Sequence, residues 1–447
     1  MMRAFLAHTK CPSAYVDRFD CLSPSGQEGF FTFGGVRLYG RVTGDAVSPQ
    51  WVDQLPSVDC DLSRGSRSVT LPFNPTEVID NLRLEKYVPA VNSAIGSISD
   101  GKSISRRVYY ALRPLLGVAI RRILQRAALR NWAKIPFPTW PVDATVEKLI
   151  AQLWMLVLKA SGESQVPFIW YWPKGYDACA VMTHDVETSA GQDFCYTILE
   201  LEKEYGIRSS FELIPERRYR ISADLVKAIR EAGGEVCIHG LNHDGKLFSS
   251  EREFRARAAK INQYAKALGA NGFRSPVMYR NPAWYDAFKF SYDMSLPNVG
   301  HLDPQRGGCC TVFPFFIGDI VELPLTTIQD YPLYNILRSS PLETWTKQMD
   351  SIVGEHGLVS FIIHPDYTTK PERQTLYRGL LGSLKRLSVE RNVWLALPGE
   401  VDRWWRQRNK MVLSKLDGKW IIRGDGADRA AIAHARIEGG KVKYTRE

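Results

Sequence analysis

Cysteine is scarce in this chain, eight residues in 447, too few for a disulfide scaffold at this length. No CxxC spacing occurs, and the adjacent pair Cys309–Cys310 has no such partner elsewhere, which argues against a thiolate zinc site. Cys179, Cys195 and Cys237 lie in segments that read as core strand or helix, where a thiol is a reduced, space-filling group. Long apolar runs are missing too. None reaches the ~18 residues of a membrane span, and Met1 to His8 contains no apolar stretch of signal-peptide length. A cytoplasmic location is therefore expected. Nor is there much excess charge: 58 Lys+Arg against 48 Asp+Glu give +10, which calls for no nucleic acid, and none is expected as a partner. With 45% apolar and 24% charged residues, the composition is that of a folded globular protein.

What is present falls into three zones: an N-terminal extension over 1–173, a regular α/β region over 174–408, and a small C-terminal β appendage over 409–447. In the first, Phe30–Phe33, Gly34-Gly35 and Val36–Tyr39 read as a hairpin with a Gly-Gly turn. From Arg106 to Asn131, apolar residues such as Leu112, Leu116, Ile120 and Ile123 recur at helical spacing. Arg106, Arg107, Arg113, Arg121, Arg122, Arg126 and Arg130 fill the positions between them, with no acid in the stretch. This predicts a basic amphipathic helix, either a peripheral contact with an anionic membrane surface at the inner face or a helix whose arginines are simply solvated. Pro136, Pro138 and Pro141 mark a linker, Thr145 to Lys159 a further amphipathic helix, and Phe168–Pro173 an aromatic strand or lid.

The middle zone alternates strand and helix. Strands are expected at 178–184, 209–214, 235–239, 272–274, 321–324, 358–364 and 393–397, with helices between most of them. That alternation predicts a parallel sheet, and its length suits a distorted, TIM-like β/α barrel of about seven strands. In such a fold the carboxyl ends of all strands open on one face, where reactive groups from distant segments meet. Four expected strands end in polar groups: Asp185 and Glu187, His239, Arg274, and His364. His239 and His243 stand four apart, a spacing commonly used to hold one metal ion. With a carboxylate from another strand end they make a two-His, one-carboxylate site with open positions, suited to zinc or another divalent transition metal. His184 is expected to pack beside its strand. Asp244 is expected to support a ligand histidine or cap a helix, and His301 with Asp303 is a further candidate pocket lining.

These residues resemble the motifs of the polysaccharide deacetylase family, the NodB-homology, chitin-deacetylase-like carbohydrate esterases, over roughly residues 177 to 400. The family's T-F-D-D motif is similar to Thr183-His184-Asp185-Val186, its H-(S/T)-x-x-H to His239-Gly240-Leu241-Asn242-His243, its R-x-P to Arg274-Ser275-Pro276, and its strand-terminal histidine to His364. Val186 occupies the usual position of the metal-binding Asp. By analogy with members carrying D-V-D, Glu187 becomes the ligand, and Gly240 replaces a hydroxyl residue. For the fourth motif two places compete, Asp293 and the Glu322 to Asp330 segment.

The resemblance implies a hydrolase that removes an N- or O-acetyl group from an amino sugar in a glycan or a lipid-linked precursor. The implied roles are Asp185 as base, Arg274 orienting it, His364 as acid, and Glu187, His239 and His243 holding Zn2+, with Co2+, Ni2+ or Mn2+ as alternatives. Two other readings stay open: an amide hydrolase on a small nitrogenous molecule, and a non-catalytic glycan-binding or scaffold protein whose altered first motif has lost the metal.

Overall fold

The computed structural model describes residues 1–22, 24, 26–44, 46–62, 68–94, 129, 131–337 and 340–447. Apart from Leu129 and Asn131, the expected Arg106 to Asn131 helix lies outside the described residues. The chain forms two compact units, one comprising Met1–Gly175, Gly307–Thr311 and Gln407–Glu447, the other Tyr176–Arg306 and Val312–Arg406. All eight cysteines are free thiols. Among the described residues no helix is long and apolar enough to cross a membrane.

In the first unit, Gly29–Phe33 and Val36–Gly40 pair antiparallel as the expected hairpin. Gly34 and Gly35 both take the positive φ that such a two-residue turn requires. Helix Thr145–Ser161 buries Leu149, Leu153, Trp154 and Val157 along one stripe. Strand Gln165–Ile169 pairs with Ile432–Glu438, which in turn pairs with Lys441–Arg446. Trp170, Tyr171 and Trp172 are all buried, so the aromatic run is core and not a lid. The buried guanidinium of Arg408 is satisfied by backbone oxygens, donating to Trp170 O at 2.8 Å, Ile169 O at 2.7 Å and His8 O at 2.8 Å, as burial of a charge demands.

The second unit is an α/β fold around one curled sheet. Its strands are β1 (Ala178–Val186), β2 (Ser209–Leu213), β3 (Glu235–His239), β4 (Gly272–Arg274), β5 (Tyr292–Asp293), β6 (Phe315–Ile317), β7 (Ile320–Glu322), β8 (Leu358–Ile362) and β9 (Val393–Ala396). They lie in the order β6-β7-β5-β4-β3-β2-β1-β8, with β9 beside the first half of β1. Every pairing is parallel except β6 with β7. Just past β7, Thr327 N–H donates to Ser360 O at 3.2 Å and Thr326 Oγ1 to Leu358 O at 2.7 Å. The chain after β7 thereby meets β8 and draws the sheet round, with seven parallel strands in the curl.

All nine residues of β1 are buried, which explains its continuous apolar text, since both faces of a parallel sheet are covered. Helix Ser189–Tyr205 starts where Thr188 Oγ1 accepts from Gly191 N–H at 3.2 Å and stops at Gly206 in the left-handed region. Ser222 and Ser250 cap helices Ala223–Glu231 and Glu251–Leu268 in the same way. β1, β2, β3, β7, β8 and β9 each lead into a helix, and the carboxyl ends of the parallel strands are left lining one face.

Candidate metal centre

Side chains alternate along an extended strand, so the end of β1 sends Thr183 and Asp185 to one face and His184 to the other. His184 points to the helical layer: Nε2 lies 2.9 Å from Glu202 Oε1 and Nδ1 2.9 Å from Ile363 O. It packs beside its strand, as expected. Asp185 meets Arg274, whose Nη1 donates to Asp185 Oδ1 at 2.9 Å and to Thr183 Oγ1 at 2.6 Å, while Nε donates to Met294 O at 3.1 Å. Arg274 is wholly buried, and a second carboxylate, Glu212 on β2, stands 3.7 Å from the same Nη1.

His239 and Arg274 are register neighbours on β3 and β4. The Nδ1 of His239 lies 3.2 Å from Arg274 O, a contact in which the ring donates, leaving Nε2 bare and 3.7 Å from Asp185 Oδ2. Beyond β3 the chain turns sharply through Gly240 and His243, both at positive φ. A Cβ at Gly240 would stand 2.4 Å from Pro276 Cγ, which is why glycine occupies this place in the motif. The turn swings His243 back so that its Nε2 lies 2.9 Å from Glu187 Oε1. His364, just past β8, donates its backbone N–H to Asp330 Oδ2 at 2.8 Å, and its Nδ1 lies 2.6 Å from Asp330 Oδ1. Its Nε2 faces Glu187 Oε1 at 3.8 Å.

Ligand atoms of Glu187, His239 and His243 all lie within 4.8 Å of one another. His239 Nε2 is buried without a hydrogen-bond partner, and His243 Nε2 is buried with the Glu187 carboxylate beside it. Two imidazole nitrogens converging on a carboxylate are a donor set for a divalent transition metal, and the uncompensated burial of His239 Nε2 is costly. These residues fit the ion that the motif pattern implies.

The charges are ordered accordingly. Burial lowers the His239 imidazole to about 4 against the pull of Asp185, so it is neutral and has a lone pair to give. Burial would raise the Glu187 carboxyl, but His243, His364 and His239 together hold it well below the usual range. Asp185 is likewise held low against burial, by His239, Arg274 and His364. Burial would lower His364, yet Asp330 and then Glu187 reverse this and raise it to about 10. Glu212 is pushed up to about 7, chiefly by burial.

All six residues singled out in the sequence, Asp185, Glu187, His239, His243, Arg274 and His364, therefore gather at one end of the curled sheet. Of the two places weighed for the fourth motif, Asp330 stands against His364. Asp293 instead accepts from Ser295 Oγ at 2.6 Å. Asp244 neither supports a ligand histidine nor caps a helix; its carboxylate pairs with Arg257 at 2.7 Å and 3.0 Å. Asp303 accepts from Gln329 Nε2 at 3.1 Å.

Three contributors escaped the sequence reading. Glu212 was signalled by a charge inside an apolar strand. Asp366, two residues after His364, accepts from Glu187 N–H at 3.1 Å and from Thr188 Oγ1. Arg218, at the rim, carried no signal.

No model of a known protein family and no curated protein sequence matches the chain. Solved structures do. One, from Mycobacterium smegmatis and described as a polysaccharide deacetylase, is 18% identical, with a TM-score of 0.44 over 53% of this chain and 93% of its own. The allantoinase PuuE is 14% identical, with a TM-score of 0.42 over 53% and 92%. A mutant of BA3943, a CE4 family pseudoenzyme with restored enzymatic activity, is 18% identical, with a TM-score of 0.34 over 51% and 68%. The chemistry of the site stands on its own side chains.

Proposed function

We propose that the chain is a metal-dependent hydrolase that removes an acetyl group from an amino sugar in a glycan or a lipid-linked precursor. The observation that carries this reading is the meeting of ligand atoms of Glu187, His239 and His243 within 4.8 Å of one another, with His239 Nε2 buried and unpartnered. Glu187, His239 and His243 would hold the ion, with Zn2+ favoured by two imidazoles and one carboxylate. A bound divalent ion at such a site makes water acidic near neutral pH and polarises a carbonyl.

The remaining work falls to the chain's own groups. Asp185, ionised and fixed by Arg274, accepts the proton of the attacking water. His364, kept protonated by Asp330, donates a proton to the departing amine or alcohol. The arrangement separates base from acid by environment: Asp185 sits against a guanidinium, His364 against a carboxylate.

Metal analysis of the purified chain and acetate release from a panel of acetylated sugars test the proposal together. The expected outcome is one equivalent of zinc or a related ion and measurable acetate, both abolished by His239→Ala. A chain that takes up no ion even after reconstitution is instead a non-catalytic member of its fold. Retention of metal and activity by His239→Ala would overturn the ligand assignment.

A further inference from the structure

β1 ends by leaving the sheet ladder, and side chains take over its backbone groups. Its last register pair is Val186 with Leu213 on β2, so the next donor for Val186 O in a parallel ladder is Ile214 N–H. Instead the hydroxyl of Tyr219 is interposed, accepting from Ile214 N–H at 2.9 Å and donating to Val186 O at 2.7 Å. On the β8 side, Glu187 N–H donates to Asp366 Oδ2 at 3.1 Å, and the other oxygen of that carboxylate accepts from Thr188 Oγ1. Val186 O and Glu187 N–H belong to one planar peptide unit. That unit is therefore held at both edges by side chains 33 and 179 residues away in sequence.

The approach of Asp366 depends on a glycine. A Cβ at Gly191, in the first turn of helix Ser189–Tyr205, would stand 2.3 Å from Asp366 Oδ2 and 2.6 Å from Oδ1. The φ of Gly191 is not in the left-handed region, so what glycine supplies here is room, at a place where alanine is the better helix former.

The peptide so held carries Glu187, whose Oε1 lies 2.9 Å from His243 Nε2. Glu187 stands just past the last residue of β1, and rotating the peptide before it swings its whole side chain. A group misplaced by about 1 Å loses much of its use.

We infer that Tyr219 and Asp366 are positioning residues for the metal ligand Glu187, a two-sided clamp on the peptide that carries it, with Gly191 making room for the carboxylate. The inference rests on the reading proposed above, in which Glu187 holds the ion. If these contacts served only to secure the start of the helix, their loss would lower stability and leave metal binding unchanged.

Zinc affinity of the full chain, measured by competition with a chromophoric chelator, separates the two roles without relying on turnover. Tyr219→Phe removes one hydroxyl, and the Ile214 N–H and Val186 O that it frees then pair directly, closing the ladder and displacing Glu187. Gly191→Ala drives the Asp366 carboxylate away from Glu187 N–H. Each variant is expected to bind zinc about ten- to a hundredfold more weakly than the wild-type chain, with the urea midpoint of the metal-free protein unchanged. The double variant should lose less than the product of the two effects, because either change already releases the same peptide.

Wild-type zinc affinity in either variant overturns the clamp and leaves the hydrolase standing. So does a loss of affinity accompanied by a fallen urea midpoint, since the contacts then only hold up the fold. A double variant that loses the full product overturns it as well, since the two side chains then act independently. A wild-type chain that binds no zinc overturns both the clamp and the reading on which it rests.

Discussion

Asp330 holds His364 twice, through the backbone N–H and through ring Nδ1, and the charge of that carboxylate reverses the effect of burial on the imidazole. The folded value of about 10 lies above the unfolded one of about 6.5. The pair's contribution to stability is therefore fully present below about pH 6.5 and is lost as pH rises through about 10. Asp330→Asn keeps the shape and removes the charge. It is expected to cost about 1–3 kcal/mol at pH 6, a difference that shrinks towards zero above pH 10. Urea midpoints of both proteins across that range measure it, and a pH-independent difference would reduce Asp330 to packing. In acetate release, the same variant should move the alkaline limb to lower pH, because His364 would then lose its proton earlier.

At the level of elements, the organising device is a strand that changes character at its end, and this much was legible in the sequence. An apolar run closing in Asp185 and Glu187 implied a buried parallel strand, and period-2 alternation put those two acids on one face and His184 on the other. The strands β5 and β6 were not legible, because neither belongs to a strand-then-helix alternation: no helix follows β5, and β6 runs antiparallel straight into β7. Asp366 and Arg218 were not either: each acts through a partner far off in sequence, Glu187 N–H in one case and His243 in the other.

Outside the sheet, His184, Glu202 and Tyr377 tie β1 to helices Ser189–Tyr205 and Pro371–Glu390. Tyr377 Oη donates to Glu202 Oε1 at 2.8 Å, and all three are buried. Tyr377→Phe leaves a carboxylate oxygen short of one donor, and a loss of about 1–2 kcal/mol is expected. Metal content should be unchanged, since the tie lies on the face of β1 turned away from the site. Chemical denaturation with parallel metal analysis checks both halves; loss of metal would place this outer network in the service of the site.

For the molecule as a whole, the lipid-linked substrate proposed for the site and the arginines of residues 106–130 bear on the same proposal, that the chain works at an anionic surface. The segment holds seven arginines and no acid. Near a membrane bearing anionic lipid each such residue contributes roughly 1 kcal/mol, falling off within a Debye length. A soluble enzyme for a small substrate has no use for such a stretch, whereas an enzyme for lipid-linked sugars gains residence where its substrate is displayed.

Pelleting with vesicles separates these cases. The full chain is expected to sediment with vesicles containing phosphatidylserine and to stay in the supernatant with neutral ones. Replacing Arg113, Arg121, Arg122 and Arg126 by Gln should lower the partition by roughly two to three orders of magnitude. Zinc content and acetate release from a soluble substrate should persist, because the centre is built from strands and loops remote in sequence from that segment. Equal pelleting with neutral and anionic vesicles, or with the wild-type and the quadruple variant, would leave the arginines as solvated surface and point the active site back towards a substrate free in solution.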